Sequence, residues 1–239
     1  MVLIYSLIFA MALSLFLTSS IKKHAWVYYL LASFVAIATI GSQFGLMIFG
    51  IQIQGIVGEL LKISLKGIIS VAFFILVMVP GALSRKWGIT KRLLRIRAEL
   101  AIIASILILP HGIMYLVYFV MGLLEGGPLS IVYLSFSIAG IIALVIMMPL
   151  FITSFKNIRI EIQGGKWKMV QKWAYVFYIL TYLHVIIILV ARDNVDIIKV
   201  ATYSIIFGLY GVAKIAKFIC SKRKAKNNVE YEIENTNCM

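Results

Sequence analysis

Uninterrupted apolar runs of about 20 residues recur along this chain, the length a helix rising 1.5 Å per residue needs to cross about 30 Å of hydrocarbon. Seven can be read, at residues 2–21, 26–49, 65–83, 98–124, 129–151, 173–191 and 195–219. A water-soluble fold would have to hide them all in one core, yet 62% of the residues are hydrophobic and only 13% are charged. The expectation is an all-α, polytopic transmembrane helix bundle of about seven spans, because a helix satisfies its own backbone in lipid. No basic residue precedes the first run and no clear small-residue cleavage site follows it, so it reads as a retained helix or anchor.

The formal net charge of +14 follows the spans. Of the 23 Lys and Arg, all but Lys62, Lys66, Arg192 and Lys199 fall on alternate connections and at the C-terminal end. That is a signature of orientation in a bilayer rather than a nucleic-acid footprint, and it predicts an outer N-terminus and an inner C-terminus; a bacterial plasma membrane is the expected location. Cys220 and Cys238 both lie at or beyond the inner end of the last span, which implies no disulfide framework. There is no CxxCH motif, GxxxxGK[ST] loop or GxGxxG turn, and no soluble stretch of nucleotide-domain size.

Three regions follow. Residues 1–64 hold two spans and an outer amphipathic segment, in which Gln52, Gly55, Glu59, Lys62 and Lys66 mark one helix face. Lys62 and Lys66 there either face water or hold an anionic cofactor edge. Residues 65–219 form the main bundle, with short basic loops at 84–97 and 156–172 and a tight outer turn at Glu125, Gly126, Gly127 and Pro128. Residues 220–239 begin with the cluster Lys222, Arg223, Lys224 and Lys226, suited to anionic lipid, and continue as an acidic tail expected to be disordered from Asn227.

His111 and His184 are the ionisable side chains deep inside the spans. His111 lies about 21 Å along its helix from Arg97, and His184 about 18 Å beyond Lys172, so both sit in the outer half of the bilayer at nearly one height. Two imidazoles so placed can ligate an iron or a haem between helices, which needs the neutral nitrogen. They can also simply hydrogen-bond across helices. His24, beside Lys22 and Lys23, reads as an interfacial residue.

The residues carry a family pattern: Arg95, Ile96, Arg97, Ala98, Glu99 and Leu100 ahead of His111; PLFITSF from Pro149; WKMVQKWAY from Trp167, ahead of His184. Together they resemble the ferric reductase-like transmembrane domain, the superfamily of ferric reductases, NADPH oxidases and the haem-binding membrane subunit of methionine sulfoxide reductase systems. The resemblance covers about residues 65–219. It implies paired histidines on two helices holding two stacked b-type haems, whereas here Arg97 and Gln171 stand where the inner pair would be. Neither is a usual haem ligand. The resemblance therefore implies one outer haem b on His111 and His184, with Arg192 a candidate partner for its propionates. Arg97 and Gln171 could serve a flavin phosphate, a quinone carbonyl or lipid headgroups. It further implies a separate electron donor, either a cytoplasmic flavoprotein or quinol, and an extracytoplasmic acceptor. The alternative reading is a small permease or proton-relay protein without haem.

Overall fold

The computed structural model describes residues 2–126 and 130–237, with side chains through Arg223. Gly127 and Pro128 of the expected outer turn, the side chains of Lys224 and Lys226, and Cys238 lie outside that range. The described residues are helical throughout: α1 (Val2–Phe16), α2 (Thr18–Lys23), α3 (Ala25–Phe49), α4 (Gly55–Leu65), α5 (Ile68–Ala82), α6 (Gly88–Arg95), α7 (Arg97–Leu124), α8 (Ile131–Ile152), α9 (Lys156–Glu161), α10 (Gly164–Val190) and α11 (Ile197–Asn237).

Five helices are long and apolar enough to cross a membrane: α3, α7, α8, α10 and the Ile197–Arg223 part of α11. Helices α4 and α5 are long and apolar enough only when taken together, and they meet at a 54° bend, the form of a broken span or of a re-entrant loop. The bend falls at Gly67, whose φ of 71° lies in the left-handed region that a side chain resists. The chain is thus a multi-pass membrane protein. Its first apolar run differs from the single span expected: α1 has 15 residues, about 22 Å of helix and short of a full crossing. It stops at Phe16, and α2 begins two residues on, where the Thr18 hydroxyl donates to the Ser14 carbonyl at 2.6 Å.

Other boundaries moved for simple reasons. The basic loops contain α6 and α9, and α6 buries Thr90 and Leu93 while turning Lys91, Arg92 and Arg95 outward. Helix α10 starts at Gly164 rather than Trp173. Lys166, Lys168 and Lys172 end the apolar run there, but lysine is a good helix former and its stem can reach the headgroups. Helix α11 continues to Asn237 through the tail read as disordered from Asn227, since extending a formed helix avoids the cost of nucleation.

Helix α5 is apolar on every face and sits at the centre. Ala72, Phe73, Leu76 and Val77 pack with α1, α3, α6 and α7 through Ala10, Ala32, Leu93, Leu100, Ala104 and Leu107. Val71, Ile75 and Met78 pack on its other side with Leu3, Tyr178, Phe207 and Tyr210. Small residues such as Ala72 and Ala104 let backbones approach, and there the Ser70 hydroxyl donates to the Ala104 carbonyl at 2.7 Å. At the basic end, Lys22 pairs with the largely buried Glu99 at 2.6 Å and ties α2 to the start of α7. Helix α8 packs along α10, whereas α7 packs on α3, α5 and α8, so α7 and α10 scarcely meet directly. Ser70→Ala removes one interhelical hydrogen bond and no packing. Unfolding titrations in mixed micelles are expected to register a loss of about 0.6 kcal/mol.

Candidate functional site

His111 follows Pro110 within α7. Its Nδ1 lies 3.0 Å from the carbonyl oxygen of Leu65, the last residue of α4. Carbonyls at a helix end lack intrahelical donors, so the break between α4 and α5 is what makes this acceptor available. Gly67 supplies the room. A Cβ there would lie 2.7 Å from Ile108 Cδ1 and 3.4 Å from the His111 ring.

His184 is arranged in the same way by a different device. Its Nδ1 lies 2.7 Å from the carbonyl oxygen of Phe136, in the body of α8. A helical side chain leans over the preceding turn, so the residue four positions on normally covers a carbonyl. Here that residue is Gly140. A Cβ on it would come within 2.9 Å of both Cε1 and Nδ1 of His184.

A carbonyl can only accept, so each neutral imidazole carries its proton on Nδ1 and donates it, leaving Nε2 with a free lone pair. This is the tautomer a metal-ligating histidine uses, with its other nitrogen anchored by a backbone oxygen. The ring centroids are 5.9 Å apart and the planes cross at 88°. If an iron were held here, the two Nε2 lone pairs would be the protein donors it used.

Aromatic rings close the site toward the end of the bundle away from the basic loops. Tyr115 stands 4.6 Å from His111 and 5.8 Å from Tyr118, centroid to centroid. On the α8 side Phe136 lies 6.1 Å from His184 and 5.2 Å from Tyr133. Sequence reading did not single out Gly67, Gly140, Tyr115 or the Leu65 and Phe136 carbonyls. Only Tyr115 left a signal, one helical turn beyond His111.

Arg97 and Gln171 also come together. They line one narrow cleft between α5, α7, α8 and α10, with Ser105, Ser154, Phe74 and Phe177. The two sequence motifs meet beside it: the Gln171 amide donates to Thr153 Oγ1 at 3.4 Å, and the Trp167 indole donates to the Thr153 carbonyl at 3.4 Å. Arg192 stands near the edge of the site, close enough to the Tyr115 hydroxyl for its charge to act there. It is exposed past the end of α10, about 12 Å along from His184. His24 is exposed at the turn between α2 and α3.

A family model described as "Ferric reductase like transmembrane component" matches residues 66–182, which include His111, Arg97 and Gln171 and stop two positions before His184. Residues 66–182 belong to the ferric reductase-like transmembrane family. The chain is also 33% identical over 232 residues to an uncharacterized protein of Treponema pallidum (strain Nichols). That match takes in 92% of this chain but 61% of the relative, so the chain spans less than two thirds of its length. No solved structure matches.

In this ferric reductase-like domain Gly140→Ala is expected to push the His184 ring off the Phe136 carbonyl. His184 should then react several-fold faster with diethylpyrocarbonate, read residue by residue by mass spectrometry, while His24 reacts as before.

Proposed function

We propose that this protein transfers electrons within the membrane through one b-type haem held between His111 and His184. The observation that carries the reading is the matched pair of Nδ1–H to carbonyl bonds, which leaves two Nε2 lone pairs on rings 5.9 Å apart. The chemistry of the donor set agrees. Among the described residues no group of three or more His, Cys, Asp or Glu could hold a bare metal ion. Two imidazoles suffice where a porphyrin supplies the other four nitrogens, and such a group contributes one-electron oxidation and reduction at a potential set by its axial ligands and burial. Glycines at 67 and 140 leave room for the two rings to reach their carbonyl partners.

One haem rather than two is the proposal. Arg97 and Gln171 replace imidazole at the inner level, and their cleft offers a cation and an amide to a flavin or a quinone. The electron donor is then a separate cytoplasmic flavoprotein or membrane quinol, and the acceptor is extracytoplasmic. This sense of flow rests on the positive-inside distribution of cations in a bacterial plasma membrane, read with an outer N-terminus and an inner C-terminus. Arg192, at the outer end of α10, is the candidate partner for a haem propionate. A proton relay between the histidines is less well supported, because each Nδ1 proton is already committed to a carbonyl of a different helix.

The protein purified after haem-supplemented expression is expected to show a Soret band that shifts on dithionite reduction, at one haem per chain. His111→Ala and His184→Ala should each abolish it, and His24→Ala should retain it. Persistence of the band in both single variants contradicts the assignment.

A further inference from the structure

Three cations converge where α5 ends at the basic side of the bundle. Helix α11 packs chiefly on α10 and α5. From it Lys217 reaches across, and its ammonium donates to the Gly81 carbonyl at 3.1 Å and to the Leu83 carbonyl at 2.7 Å. Lys214, one turn earlier, donates to the Gly81 carbonyl at 3.5 Å and stands 5.2 Å from the ring centroid of Tyr175 on α10. Arg85, exposed in the turn between α5 and α6, and the Tyr175 hydroxyl are both close enough to Lys217 to act on it electrostatically. Three stretches far apart in sequence thus bring their polar groups to one place.

The charges there do not balance. Gly81 and Leu83 offer the free carbonyls of a helix end, worth about half a negative charge against three positive ones. Among the described residues the ion pairs are Lys22 with Glu99, Lys62 with Glu59 and Lys199 with Asp196, all elsewhere. Donors are also left over, because an ammonium and a guanidinium carry more protons than these carbonyls take up. The depth selects the kind of anion. Lys214 and Lys217 lie toward the basic end of the apolar stretch Ile197–Arg223, where lysine stems extend to the level of lipid phosphates. Trp87, two residues after Arg85, is exposed as an interfacial anchor. Ile215 and Phe218 are exposed beside the two lysines and give acyl chains an apolar face.

We infer that Arg85, Lys214, Lys217 and the Tyr175 hydroxyl bind the phosphodiester of an anionic phospholipid. The phosphate offsets the mutual repulsion of the three cations and fastens α11 to the end of α5. The association is non-covalent, and neither a proton nor an electron moves. It is independent of the haem reading, since none of the four residues touches the histidines.

The test is native mass spectrometry of the full chain in mixed micelles, titrated with phosphatidylglycerol or with phosphatidylcholine of the same acyl chains. The choline lipid carries the same phosphodiester beside a cation that the cluster repels, so one phosphatidylglycerol is expected to bind about tenfold more tightly. Arg85→Gln should weaken that binding about tenfold, the cost of one charge-assisted contact. Lys214→Gln combined with Lys217→Gln should remove the preference, and arginine at both positions should restore it. Lys91→Gln combined with Arg92→Gln takes the same charge from exposed positions on α6 and should leave binding as it was. Should the α11 glutamine pair fail to fold, Arg85→Gln in its exposed turn decides alone. Equal weakening by the α6 and α11 pairs, or by Arg85→Gln and the α6 pair, reports attraction by the whole basic face and overturns the site. Equal affinity for the two lipids overturns it as well. Displacement of the lipid by an equal concentration of glycerophosphoglycerol, the same headgroup without acyl chains, overturns a lipid as the occupant.

Discussion

Backbone carbonyls are the most abundant hydrogen-bond acceptors inside a bilayer, and nearly all are spent within their own helices. An imidazole proton in that setting finds a partner only where the helix leaves one uncovered. His111 finds the carbonyl at the end of α4, and His184 finds one on α8 beneath a residue with no side chain. These two bonds fix which nitrogen of each ring is free. They also explain features that otherwise look unrelated. The bend at Gly67 presents Leu65, and the close seam between α8 and α10 presents Phe136. Because α7 and α10 pack on other helices rather than on each other, their histidines can meet across an interval that backbone contact would have closed.

The two ends of the bundle are chemically unlike. Near the basic end, Arg97 and Gln171 face a cleft whose walls are mainly apolar, and the motif segments around Thr153 and Trp167 hold it together. At the other end, the aromatic rings of Tyr115 and Tyr118 lead away from the histidines. An electron-transfer route of a single haem needs such an asymmetry, with one side suited to receiving electrons and the other to giving them up. The functional reading supplies the direction, and the side chains supply the distinct surfaces it would use.

The helical class and the membrane setting were legible in the sequence because a 20-residue apolar run has few other uses. The histidine pair was legible because ionisable groups are rare in such runs, and counting 1.5 Å per residue put them at one height. Gln171 lies 13 residues before His184, a spacing that returns imperfectly to one helix face, yet the structure turns it into the same cleft as Arg97. What pattern could not give was anything depending on two helices at once. Gly140 is an ordinary small residue until His184 is set against it. The early start of α10 was hidden because hydropathy reads Lys166 and Lys168 as loop, whereas the backbone finds no reason to stop there. The break after Phe16 falls at Leu17, with neither glycine nor proline beside it to mark it.

The central claim is that His111 and His184 present two neutral imidazoles to one iron with their planes nearly perpendicular. Electron paramagnetic resonance of the frozen, oxidised protein reads both parts together. The account predicts a low-spin ferric signal of strong anisotropy, as crossed axial imidazoles produce. A high-spin ferric signal, or no haem iron at all in protein expressed with ample haem, would contradict it.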